Sequence, residues 1–122
     1  LSYIKLSYNL KTVDRFLKID AYAVFDKTKS WTKTSSPKTL RHEQGHFDIT
    51  EIYALQWEKE MNETKYKDAR SFMDSLRTTY ERIQMECNKK NEDYDLVGGN
   101  ELLVQQYYKW IREQLDLYKE YQ

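Results

Sequence analysis

The chain has 122 residues, the length of one domain, enough to bury a core but with little room beyond a minimal catalytic or binding unit. Its 20 basic and 20 acidic side chains cancel, so it carries no overall field to gather nucleic acid or an anionic membrane, and no acidic tail. A mean hydropathy of −0.95, with no apolar run near the roughly 20 residues of a membrane span, argues against a spanning helix; 11 Tyr and 3 Trp point to solvated helices buried along aromatic stripes.

Residues 2–8 and 15–26 are rich in aromatic and β-branched side chains with partial period-2 alternation, which predicts two strands paired antiparallel. Asn9-Leu10-Lys11-Thr12 is the expected turn between them, although it lacks the Asn-Gly or Asp-Gly of a tight hairpin. Residues 26–38 are polar and read as a loop anchored by Trp31. Ser36-Pro37 then opens a helix, because Ser accepts from the orphan amides and Pro fits the first turn, where its missing N–H does no harm. This helix is expected to reach Glu63, with Leu40, Phe47, Ile49, Ile52, Tyr53, Leu55 and Trp57 on a broad apolar face.

A second helix fits residues 64–91, where Tyr66, Ala69, Phe72, Met73, Leu76, Tyr80, Ile83 and Cys87 recur at steps of three and four. The polar stretch 88–93 dilutes the pattern, and Gly98-Gly99 breaks it. Asn100 is placed to cap a third helix, residues 100–121, whose buried side holds Leu103, Tyr107, Trp110, Ile111, Leu115 and Tyr118. Cys87 is the only cysteine, so no intrachain disulfide forms, and it reads as a small buried hydrophobe. The fold class is α+β: one domain over residues 1–122, a small antiparallel β-ribbon followed by three long helices. The start at Leu1 rather than Met suggests a processed or truncated product.

The chemistry is concentrated in Arg41-His42-Glu43-Gln44-Gly45-His46 on the first helix. At about 100° per residue, His42 and His46 stand about 40° apart and one turn on from each other, so both imidazoles can share one tetrahedral Zn²⁺. Glu43, beside them, is the expected catalytic base, placed to take a proton from a metal-bound water. These are the only two histidines of the chain, and Ile52 stands where a third would complete the H-E-x-x-H-x-x-G-x-x-H form, which is thereby excluded. The third ligand is therefore a carboxylate or an amide. Asp48 and Glu51 lie about 160° and 140° around the helix from His46 and point away. Glu81 and Glu86 flank the stripe of the second helix, while Asp95, Asn100 and Glu101 lie at a turn able to fold back over the first; periodicity does not choose among them. Tyr53, Tyr94 and Tyr107 are candidates to steady a developing oxyanion, against the plainer reading of core aromatics with a hydroxyl at the rim.

The longer string from Leu40 to Ile49, with Glu51, Tyr53 and Ala54, resembles a bacterial family of unknown function predicted to be secreted zinc-dependent proteases. The likeness extends back to Phe25-Asp26 and Ser30-Trp31 and on to Tyr94-Asp95, Gln106 and Trp110, covering the chain from about residue 19. It implies a zincin-like fold with the metal motif on the first helix, the preceding strand at the edge of the cleft, a peptide or protein substrate, and a secreted, periplasmic or cell-envelope location. In that family the Tyr-Asp pair is commonly followed by T-x-H, whose His would be the third ligand. Here that position is Asn100, with Gly98 in place of the Thr, so the resemblance leaves Asn100, or next Glu101, to complete the site. Two functions follow: a zinc metallopeptidase, or a zincin-like domain that has lost turnover and binds a peptide or protein. A purely structural helical domain would require the motif to be coincidence.

Overall fold

A computed structural model of the chain describes residues 4–25 and 36–121. Its elements are strands β1 (Ile4–Val13) and β2 (Phe16–Phe25), then helices α1 (Pro37–Glu63), α2 (Ala69–Leu96) and α3 (Glu101–Tyr121). The expected α+β order of a ribbon and three helices is what the chain adopts. Ser2 and Tyr3 of the expected first strand, and Asp26, Ser30 and Trp31 of the expected loop, lie outside the described residues. No helix among those described is long and apolar enough to cross a membrane.

The hairpin turn is not at residues 9–12. Those residues continue β1, pairing from Asn9↔Asp20 to Thr12↔Leu17, and the chain reverses at Asp14-Arg15. Both turn residues have positive φ, 51° and 73°, the two-residue geometry whose twist matches that of the flanking strands. Asp tolerates this left-handed conformation better than most residues; Arg does so at some strain. The register places Ile19, Ala21 and Ala23 of β2, with Leu6 of β1, on the buried face. Leu6, Ile19 and Ala21 meet Ala54, Trp57, Met61, Phe72, Leu76 and Ile83 in one core cluster.

Helix α1 packs against both strands and both other helices. It starts where the sequence places it, with Ser36 Oγ accepting from Thr39 N at 3.1 Å and Pro37 in the first turn. One side of α1 lies along the outer edge of β2 and satisfies it. Glu51 accepts from Ala23 N and Glu58 from Ala21 N, both at 2.8 Å, while Asn62 accepts from Ile19 N and donates to Ile19 O, both at 2.9 Å. Residues 51, 58 and 62 are spaced 7 and 4 apart, so one helix face meets alternate amides of one strand and blocks that edge from further pairing.

Helix α2 begins five residues later than its periodicity suggests, because Asp68 accepts from Ser71 N at 2.8 Å and caps the helix there. It also runs past the polar stretch 88–93 to Leu96. The reason is Tyr94, which is fully buried and one heptad beyond buried Cys87, so the inward stripe resumes after the polar residues. Tyr94 joins Ile49, Ile52 and Ile111 in a second core cluster, flanked by Tyr53, Tyr107, Tyr108 and Trp110. Asn100 Oδ1 accepts from Leu103 N at 3.1 Å and caps α3. Leu40, Met73 and Leu103, expected on buried faces, are instead exposed. Replacing Asn62 with Ala leaves the N–H and C=O of buried Ile19 without their partners, and is expected to lower unfolding stability by about 1–3 kcal/mol in urea titration.

Candidate metal centre

His42 and His46 project from the first turns of α1 toward the last turn of α2, where Asp95 meets them both. One carboxylate oxygen, Asp95 Oδ1, lies 2.8 Å from His42 Nε2 and 2.7 Å from His46 Nε2. The three side chains are the one His/Cys/Asp/Glu group among the described residues suited to hold a metal, with ligand atoms all within 4.8 Å of one another. Side-chain exposures of 31 % for His42, 5 % for His46 and 55 % for Asp95 make the centre half-open, with His46 buried beneath the other two.

The hydrogen bonds around His46 fix its ring. Asn91 donates from Nδ2 to the Cys87 carbonyl at 3.0 Å, which turns its Oδ1 toward His46 Nδ1 at 2.7 Å. The Nδ1–H of His46 therefore donates to Asn91, and Nε2 is the nitrogen turned to Asp95. A lone pair and a carboxylate oxygen at 2.7 Å repel unless a proton or a cation lies between them. Burial alone would raise the Asp95 carboxyl, but hydrogen bonds from His42 and His46 and their positive charge outweigh it and hold the group below the usual carboxylate range. Two imidazole nitrogens and one carboxylate oxygen are the donor set of a catalytic two-histidine, one-carboxylate zinc site. Around a tetrahedral ion such atoms stand about 3.3 Å apart, so binding would draw Asp95 Oδ1 back and close the ligand atoms in from their spread of up to 4.8 Å. The residues present fit Zn²⁺.

Tyr94 positions the pair from behind. Its ring stacks on His42 with centroids 4.6 Å apart and planes 9° from parallel, and meets His46 edge-on at 4.9 Å. Its hydroxyl donates to the His42 carbonyl at 3.1 Å. Burial, then a hydrogen bond with Tyr108, pushes this phenol far above its ordinary pKa, so it stays protonated. The ring can approach so closely because residue 45 is glycine: a Cβ there would stand 2.1 Å from the Tyr94 hydroxyl oxygen and 2.5 Å from Cζ. The Arg41 guanidinium caps the Tyr108 ring at 3.7 Å.

Among the third-ligand candidates, the structure brings Asp95 to the histidines. Asn100 spends its carbonyl oxygen on the α3 cap, and Glu101 accepts from Gln105 at 2.9 Å. Asp48 accepts from Gln44, with burial raising its carboxyl, and Glu51 holds the ribbon. Glu86 pairs with Arg82, and Glu81 is exposed. Tyr53 packs beside both core clusters, and Tyr107 lies against Tyr94. Glu43 is half-buried one residue after His42 and has no hydrogen-bond or ion-pair partner among the described residues. Nothing in the local pattern singles out Asn91 as a partner of His46. Its signal was its place one turn before Asp95, which becomes readable only once α2 is known to continue through the polar stretch.

The family model described as Bacterial protein of unknown function (DUF922) matches residues 11–100. The chain belongs to that family. The DUF922 match takes in His42, Glu43, His46, Asn91 and Asp95 and ends at Asn100, so the whole centre lies within it while α3 lies beyond. No curated protein and no solved structure matches the chain. Within this DUF922 member, Gly45→Ala reverses an ordinary sign. The change usually stabilises a helix interior by about 1 kcal/mol; here overpacking against Tyr94 should destabilise the fold by about 1–3 kcal/mol. In a Tyr94→Ala background the same change should be neutral or stabilising, which thermal or chemical unfolding of the four proteins would read.

Proposed function

We propose that this DUF922 member is a zinc-dependent peptidase in which His42, His46 and Asp95 hold Zn²⁺ and Glu43 is the general base. The observation that carries the reading is the convergence of both histidine Nε2 atoms on one oxygen of Asp95, with Asn91 engaging Nδ1 of His46 so that Nε2 is the nitrogen turned inward. Asp95 takes the third position in this reading, in place of Asn100 or Glu101. The alternative, a binding module without turnover, rests on Asn100 standing where a His is expected; with Asp95 as the third ligand in this reading, the site does not depend on Asn100.

Bound zinc supplies Lewis acidity toward a water and a substrate carbonyl. Glu43, adjacent to His42 and without a competing partner among the described residues, takes the proton of the attacking water and delivers it to the departing amine. Asn91 keeps His46 in one tautomer, and Tyr94 holds the ring of His42 flat against the end of α2. The open side, past His42 and Asp95, admits the peptide.

Protein purified with zinc should hold about one ion per chain by metal analysis, and His42→Ala or Asp95→Ala should lose it. Glu43→Gln should retain the ion while peptide hydrolysis falls by about 10²–10⁴-fold. A wild-type protein that takes up no zinc would overturn the reading. Asn91→Leu should weaken zinc about 10–100-fold in competition with a chelator, without displacing any ligand.

A further inference from the structure

A cavity of about 220 Å³ opens beside His46 and Asp95, between the first described residue of β1, Ile4, and one face of α2. It is smaller than the roughly 300–1,000 Å³ of small-molecule sites and has the capacity of a single side chain. Buried Thr50 and Cys87 form its inner wall, and Gln84, Asn88 and Glu92 of α2 form its polar side.

The hydrogen bonds already made leave a particular set of groups for a ligand. Gln84 Nε2 donates to Asn88 Oδ1 at 2.9 Å, which frees Gln84 Oε1 as an acceptor. Both ends of the Asn91 amide are engaged, by Cys87 and His46. Glu92 has no hydrogen-bond or ion-pair partner among the described residues, and no Lys or Arg lines the cavity. Beside the free N–H groups of the Asn88 amide, the lining offers Gln84 Oε1 and the carboxylates of Glu92 and Asp95 with no Lys or Arg, so a ligand group that brings several donors and a positive charge meets it best.

We infer that this cavity is a specificity pocket for a basic side chain, with lysine the best fit, and that Glu92 determines the preference. The inference rests on the zinc-peptidase reading and names its substrate class: peptides with a cationic residue next to the bond that is cut. The four-carbon stem of lysine lies against Ile4 and Thr50, and its ammonium donates to Glu92 and Gln84 Oε1.

The test is calorimetric titration of the zinc-loaded chain with lysine hydroxamate and with norleucine hydroxamate, which has the same stem without the ammonium. The lysine compound should bind about tenfold more tightly, and Glu92→Gln should abolish that ratio while leaving zinc content and norleucine hydroxamate affinity unchanged. Equal binding of the two compounds to the wild type overturns the pocket's assignment and leaves the zinc reading standing. A persisting ratio in Glu92→Gln overturns the role of Glu92. A chain that holds no zinc and binds neither compound overturns the zinc reading and this inference with it.

Discussion

The phenol ring of Tyr94 lies where a side chain on residue 45 would stand, and the closeness of α2 to α1 follows from that contact. With no Cβ on Gly45, the ring slides over the backbone of α1, donates to the His42 carbonyl and stacks on the His42 ring. The next residue along α2 is Asp95. Rotated by about 100° from a buried, fixed Tyr94, its carboxylate is delivered to both imidazoles. One close approach therefore seats the core and closes the centre, so Gly45 between the two histidines is as much a part of the site as the three side chains that converge there.

Helix α1 divides its circumference among its neighbours. Its polar acceptors Glu51, Glu58 and Asn62 hold the ribbon edge, Ile49 and Ile52 enter the core shared with α3, and His42 and His46 face α2. Fixing the ribbon along α1 also fixes where β1 begins, which brings Ile4 to the cavity beside His46. The aromatic wall of α3, from Tyr107 to Ile111, stands behind Tyr94 and keeps the phenol buried.

Much of this was legible in local signals. Ser36-Pro37 located the start of α1 because an N-cap acts on amides only two or three residues away, and the i, i+4 histidines fell on one face because helix geometry is the same wherever a helix forms. The turn at Asp14-Arg15 was not legible, since neither it nor residues 9–12 contains glycine. The choice fell to the register that buries Ile19, Ala21 and Ala23 together. The end of α2 was hidden in the same way: residues 88–93 look solvated, and their continued helicity depends on Tyr94 finding a pocket formed by other parts of the chain.

By itself, then, the sequence determined the ribbon and three helices, and the paired histidines with an adjacent glutamate, because each depends on intervals of a few residues. Which acidic group faces them depends on how α2 and α3 pack against α1. Asp95, Asn100 and Glu101 lie within seven residues of one another near the same turn, at equal standing by spacing. Packing of Tyr94 on Gly45 turns Asp95 toward the imidazoles, while the opening turn of α3 draws Asn100 into its cap. A contact between residues some fifty positions apart has no periodicity to announce it; it exists only when the two helices have met.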